Sequence, residues 1–173
     1  MTATTLHIPT LETERLILRA PHWADFEAYA AYCASERSRA NGGPYTREQS
    51  FARMSALIGH WHLRGYGRWM ITDRETNHAL GIVGIFYPEG WPEPELAWTV
   101  FAEAEGKGIA FEAATAARAY AYETLGWPSL ISLVANDNTR SIALAKRMGC
   151  AYEGDFEHAD HGPLPVWRHP EAA

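Results

Sequence analysis

The stretch Glu105-Gly106-Lys107-Gly108-Ile109-Ala110 decides how this chain is read. Before it stands an apolar segment, Leu96 to Phe101, that reads as a strand. Behind it runs an alanine-rich segment, Phe111 to Leu125, that reads as a helix. Two glycines in a strand-to-helix corner leave backbone N–H groups uncovered. Those groups are also the unpaired donors of a helix start, at the positive end of its dipole. Such a corner attracts a phosphate. Alone, it is equally a tight turn before a helix, so its surroundings matter. A P-loop needs Gly-Lys-Ser/Thr, and here Gly108 follows Lys107. A dinucleotide fingerprint needs a third glycine where Phe111 stands. A third pattern, Gln/Arg-x-x-Gly-x-Gly/Ala between a strand and a long helix, fits at Gly108 and Ala110.

Working outward, the preceding half reads as hairpins and paired helices. Leu11 to Arg19 reads as a first strand, and Trp23 to Glu36 as a helix with Phe26, Tyr29, Ala30 and Cys33 on one face. Asn41-Gly42-Gly43-Pro44 marks a loop. Thr46, with Gln49 three residues on, opens a second helix that Gly65 and Gly67 end. Arg68 to Asp73, Ala79 to Tyr87 and Glu95 to Phe101 read as strands. Gly81 and Gly84 suggest a bulge or a close backbone approach. After the corner come a strand at Ser129 to Ala135, a helix from Asn138 to Met148 stopped by Gly149, and closing strands at Ala151 to Phe156 and Leu164 to Arg168. Pro165 makes the last an edge strand. The order β-α-α-β-β-β-α-β-α-β-β is one mixed α/β domain without linker or repeat.

The 173 residues suffice for one sizeable core, and 47% hydrophobic with 21% charged residues is a globular balance. A formal net charge of -6 argues against nucleic acid as a partner. Cys33 and Cys150 form neither a Cys-x-x-Cys pair nor a disulfide framework. No secretory signal and no membrane-length apolar run are seen, so a soluble cytoplasmic protein is expected. His60 and His62 stand two apart on a helix and face different sides, so no metal is expected. His158, His161 and His169 read as a polar tail.

Five segments together resemble the GNAT superfamily of N-acetyltransferases, in the branch of the ribosomal-protein N-terminal acetyltransferases. They are Thr13–Arg19, Glu95–Val100, Gly106–Ala110 with Glu112-Ala113, Asn136–Ser141, and Met148–Cys150 with Glu153-Gly154. The resemblance spans residues 11 to 168 and implies a single domain over that range, with a mostly antiparallel sheet splayed at an acetyl-CoA site and flanking helices. It implies transfer of an acetyl group from acetyl-CoA to a primary amine, a protein N-terminus or a small molecule, by direct attack in a ternary complex. A non-catalytic acyl-CoA-binding module on the same fold is the alternative. An exposed sheet edge is compatible with a homodimer.

By the same resemblance, the backbone of Trp98, Thr99 and Val100 pairs with the pantetheine amides by strand addition. Gly106, Lys107, Gly108, Ile109, Ala110 and Phe111 hold the pyrophosphate. Asn138 bonds the pantetheine arm and Ser141 faces the sulfur; as bare residue types they are equally a helix cap and a first-turn hydroxyl. The resemblance implies Glu95 as a base acting through water, although the same residue at a strand entry is equally a surface carboxylate. A backbone N–H near Val100 would polarise the thioester oxygen. Three positions depart from the family. Glu105 replaces an Arg or Gln and is expected to point away. Cys150 replaces a Phe. Ala145 replaces a Tyr that protonates the leaving thiolate, leaving Ser141 or water for that step. The acceptor cleft is expected among Tyr45, Trp61, Trp69, Phe86, Tyr87 and Trp91, with core packing preferred for Trp69, Phe86 and Trp23.

Overall fold

The computed structural model describes residues 7–159 and 161–172. Eight strands form one sheet in the order β1-β2-β3-β4-β5-β6-β8-β7. In chain order these are β1 Leu11–Glu12, β2 Leu16–Arg19, β3 Arg68–Asp73, β4 Ala79–Phe86, β5 Glu95–Val100, β6 Ile131–Leu133, β7 Ala151–His158 and β8 Gly162–Arg168. Four helices cover it: α1 Phe26–Ala34, α2 Arg47–Arg64, α3 Ile109–Ala119 and α4 Thr139–Arg147. All neighbouring strands run antiparallel except β5 and β6.

The expected element order holds, with one split. Leu11 to Arg19 is not one strand but a tight hairpin, because Thr13 turns the chain and its N–H reaches the Leu16 carbonyl at 2.9 Å. The helix expected from Trp23 begins as a 3-10 turn, Trp23–Asp25, before α1. Trp23 itself is 68% exposed rather than core, stacked on Phe26 with ring centroids 4.8 Å apart. The start of α2 is as read: the Thr46 side chain accepts from the Gln49 N–H while the Gln49 side chain accepts from the Thr46 N–H.

Period-two alternation sends the sheet's apolar residues to both faces. Leu16, Leu18, Ile71, Val83, Ile85 and Leu96 pack against Ala113, Ala114 and Ala117 of α3. The alanines let that helix axis lie close to the sheet. Met70 and Ile82 meet Phe26, Tyr29 and Cys33 of α1 and Met54 and Leu57 of α2 on the other face. Each such side chain fully buried is worth roughly 1.5–3 kcal/mol over leaving it exposed.

Pro165 does not sit on an edge strand. β8 lies between β6 and β7, and Pro165 is opposite Asp155 of β7. Its carbonyl accepts from the Val134 N–H at 3.1 Å, on the β6 side. The proline nitrogen shares that side, opposite Val134 and just past the last β6–β8 pair, Leu133 with Val166, so the proline withholds the reciprocal bond to Val134 and the β6–β8 ladder ends there.

His169 also departs from expectation. It is not in a polar tail but 1% exposed. The Ser132 hydroxyl donates to the Leu96 carbonyl at 2.6 Å and lies 2.9 Å from His169 Nε2, while Cys150 Sγ lies 3.2 Å from Nδ1. Burial, then the Arg118 and Arg168 charges, push the imidazole down to about 3, and burial pushes the Cys150 thiol up to about 11. The cluster is neutral and joins β5, β6 and the C-terminal segment.

Candidate active site

The parallel neighbours β5 and β6 touch at one pair only, Glu95 with Ile131, and then diverge. The register fixes which backbone groups this leaves unpaired. The Phe101 N–H bonds Leu80 of β4, so in β5 the odd-numbered residues turn their N–H and C=O toward β4 and the even-numbered ones toward the gap. Trp98 and Val100 therefore present to the gap backbone groups that are free among the described residues. Thr99 does not. Its carbonyl faces Gly81, where an added Cβ would come within 2.2 Å of it, so the Thr99 backbone is unavailable to a ligand in the gap and only its side chain remains.

At the far end of β5 the chain turns through a 3-10 segment, Ala102–Ala104, into the glycine corner. Gly106 and Gly108 both have positive φ, +72° and +77°. No side chain caps α3 at Gly108, so the N–H groups of Ile109, Ala110 and Phe111 open the helix without a capping partner. Arg15 braces the loop from behind: it donates to the Lys107 carbonyl at 3.0 Å and to Glu112 Oε2 at 2.7 Å. The Lys107 side chain is exposed, and Arg147 lies over the Phe111 ring at 3.9 Å.

Glu105 does not simply point away. Its carboxylate is held between Arg37, which follows α1, and Arg140 of α4. One negative charge thus gathers two positive ones, and the repulsion expected at this position is reversed in sign. Asn138 caps α4, its Oδ1 accepting from the Ser141 N–H at 3.2 Å. Ser141 Oγ accepts from the Trp98 indole N–H at 3.2 Å, which leaves its own proton free to donate. Ala145 is fully buried in the core.

A cavity of about 750 Å³ joins the gap to the face of the sheet under α1 and α2. Glu95 opens into it and is buried, not a surface carboxylate. Its partner is the Trp91 indole N–H. Burial pushes its carboxyl up to about 7, against the lowering pull of Trp91, of the Arg68 charge and of the Leu133 amide. A carboxyl that titrates near neutrality is matched to base catalysis. Of the expected cleft aromatics, Tyr45, Phe86 and Trp91 line the cavity. Trp61 and Trp69 are core, 2% and 0% exposed, and Tyr87 is not in the wall. His161 is, and its ring faces Trp91 at 6.2 Å.

Sequence reading missed Arg53 and Arg68, which also line the cavity. The signal was positional. Arg68 falls on the same strand face as Met70, and Arg53 stands three residues after buried Ser50 and four before buried Leu57. Among the described residues no group of three or more His, Cys, Asp or Glu is placed to hold a metal ion.

Residues 15–151 match the acetyltransferase (GNAT) domain family. The chain belongs to the GNAT acetyltransferases. As such it is an acyltransferase. The crystal structure of the acetyltransferase from Agrobacterium tumefaciens str. C58 is 39% identical, with 98% of each chain covered and a TM-score of 0.86. The uncharacterized N-acetyltransferase YoaA of Bacillus subtilis (strain 168) is 28% identical over 150 residues, 84% of this chain and 85% of the relative. RimL, a ribosomal L7/L12 alpha-N-protein acetyltransferase solved in complex with coenzyme A, shares the GNAT fold at a TM-score of 0.78 and 16% identity, over 95% of this chain and all of RimL. Among the described residues no helix is long and apolar enough to cross a membrane.

Proposed function

We propose that this GNAT domain, spanning residues 11–168, transfers the acetyl group of acetyl-CoA to a primary amine by direct attack within a ternary complex. The observation that carries the reading is the divergence of β5 from β6, which leaves the Trp98 and Val100 backbones unpaired beside a buried carboxyl, Glu95. Unpaired backbone in a cleft is costly unless a ligand answers it. A pantetheine arm, with two amides, fits as an added strand. Gly106 to Phe111 suit the pyrophosphate through their N–H groups, with Lys107, Arg37 and Arg140 adding positive charge. Asn138, already the cap of α4, borders the same groove.

Bound acetyl-CoA supplies an acyl carbon activated as a thioester. The Val100 N–H faces the gap and suits the thioester oxygen. Glu95 takes a proton from the attacking amine, directly or through water. Ser141, whose proton is free, donates to the departing sulfur in place of the missing tyrosine. The thiol has a reference pKa of about 8.5 and leaves without a strong acid. The balance is an amide and a free thiol from a thioester and an amine; the C–S bond breaks as the C–N bond forms. Much of the rate comes from holding two substrates in line.

The test is thermal shift followed by a thiol-release assay. Acetyl-CoA is expected to stabilise the protein where ATP and NAD do not. A panel of amines and peptides is then expected to release free thiol above background. Stabilisation without thiol release from any amine would reduce the protein to an acyl-CoA-binding module.

A further inference from the structure

The two arginines in the cavity wall stand out by what they lack. Arg15, Arg37, Arg39 and Arg140, which surround the same end of the molecule, are each ion-paired to a carboxylate. Arg53 and Arg68 have neither an ion pair nor a side-chain hydrogen bond among the described residues. Their guanidiniums rest on aromatic faces instead, Arg53 over Tyr45 and Arg68 over Phe86, each 4.2 Å from the ring centroid. Those stacks fix the planes and leave the N–H edges for something else.

The register puts Arg68 on the same sheet face as Glu95: Arg68 pairs Gly84, Gly84 pairs Ala97, and Ala97 is two residues from Glu95. Yet Glu95 gives its oxygen to Trp91, not to Arg68. Burial lowers the affinity of Arg68 for its proton, and the facing Arg53 lowers it further, while Tyr29, Glu95 and Tyr32 pull the other way. A buried guanidinium at Arg68, with no ion pair of its own among the described residues and a second like charge facing it, is costly to hold in the cleft. A bound anion would relieve that cost.

Resting on the acetyl-transfer reading above, we infer that the acceptor is a small primary amine carrying its own carboxylate, of which a free α-amino acid is the simplest case. The carboxylate is held by the stacked guanidiniums of Arg53 and Arg68, with the amine toward Glu95. Paired guanidinium edges suit a planar carboxylate. In a free amino acid, one carbon separates the amine from the carboxylate, so one molecule reaches from the arginines toward Glu95. A protein N-terminus has an amide at that place and offers no charge. The products are the N-acetylated amino acid, free CoA thiol and one proton released from the ammonium form of the acceptor.

The experiment compares the twenty α-amino acids, their carboxamides and short unblocked peptides as acceptors by thiol release, in wild type and in Arg53→Met and Arg68→Met. Wild type is expected to favour at least one amino acid over its amide by about tenfold or more in kcat/KM, since a site built for a charged group rejects its neutral analogue. Either substitution is expected to raise KM for that amino acid and remove the preference while kcat changes less. Arg53→Met, on a helix surface, keeps the test open where Arg68→Met fails to fold. Equal use of amides or peptides by wild type, or a preference that survives both substitutions, would overturn the inference and leave acetyl transfer standing. Should no amine of any class release thiol, acetyl transfer itself fails. The anion site is then judged by thermal shift of the CoA-saturated protein with the same amino acids and amides: amino-acid stabilisation lost in Arg53→Met supports it, and none in wild type overturns it.

Discussion

Glu95 carries the sharpest single-residue consequence. Its carboxyl sits near 7 in the folded protein because burial disfavours the charge, against about 4.5 when exposed. A raised folded value means the folded state holds the proton longer. That contribution to stability is complete below about 4.5 and is lost as pH rises through about 7, reaching on the order of 3 kcal/mol. Glu95→Gln is therefore expected to be more stable than wild type at pH 8 and to show a flatter melting profile between pH 4.5 and 8 by calorimetry. The same substitution is expected to cut kcat by about 10²–10³, the usual weight of a positioned base, and to abolish the rise of kcat with pH near 7. A kcat profile that keeps its rise in Glu95→Gln would remove Glu95 from proton transfer. The sequence offered this residue as a base by resemblance and equally as a strand-entry surface carboxylate. What suits it to a base, burial beside an indole and across from an arginine, belongs to contacts no local pattern encodes.

At the scale of elements, the readable features were those that local chemistry dictates. The Thr46–Gln49 cap, the glycine corner and the alanine face of α3 follow from hydrogen-bond capacity and side-chain size. Pro165 was misread for want of topology: a proline is tolerated between two strands where one of the two ladders ends, and the β6–β8 ladder ends at Pro165. Trp23 was misread because size suggests burial, while the 3-10 turn that precedes α1 carries the ring outside. Thr99 shows a subtler limit. A resemblance names three consecutive residues, but a strand offers a one-sided ligand only alternate ones. The Gly81 contact makes this testable. Gly81→Ala would force β4 and β5 apart at Thr99, and is expected to lower stability by about 1–3 kcal/mol, in the range of overpacked interiors, read from urea unfolding.

Across the whole molecule, Glu105 joins three regions that are far apart in sequence: the segment after α1, the glycine corner and the start of α4. Arg140 is open to solvent while Arg37 and Glu105 are part-buried, and pairs of this kind add modestly to folding. In the proposed complex their effect is on the field at the anionic end of the cofactor. Glu105→Gln leaves both guanidiniums and removes the opposing charge. Stability is expected to change by less than about 1 kcal/mol, and CoA to bind several-fold more tightly by calorimetric titration at low salt. The gain is expected to shrink at high salt as screening shortens the reach of the field. Unchanged affinity at low salt would place the three side chains outside the field of the ligand. Sequence reading judged Glu105 alone and so met an electrostatic conflict. The fold answers it with residues 68 and 35 positions away, a pairing that only the folded chain brings about.

The divergence of β5 from β6 also has a signature in time. Amides paired in a ladder exchange their hydrogens slowly, whereas unpaired ones wait on nothing but solvent access. Along one six-residue strand, Ala97 and Thr99 belong to the first class and Trp98 and Val100 to the second. Deuterium uptake resolved by residue is thus expected to alternate, slow and fast, with a period of two. Saturation with CoA is expected to silence the fast positions and leave the slow ones as they were. A strand that is half clock and half vacancy would then report its own occupancy, residue by residue, without any chemistry being followed.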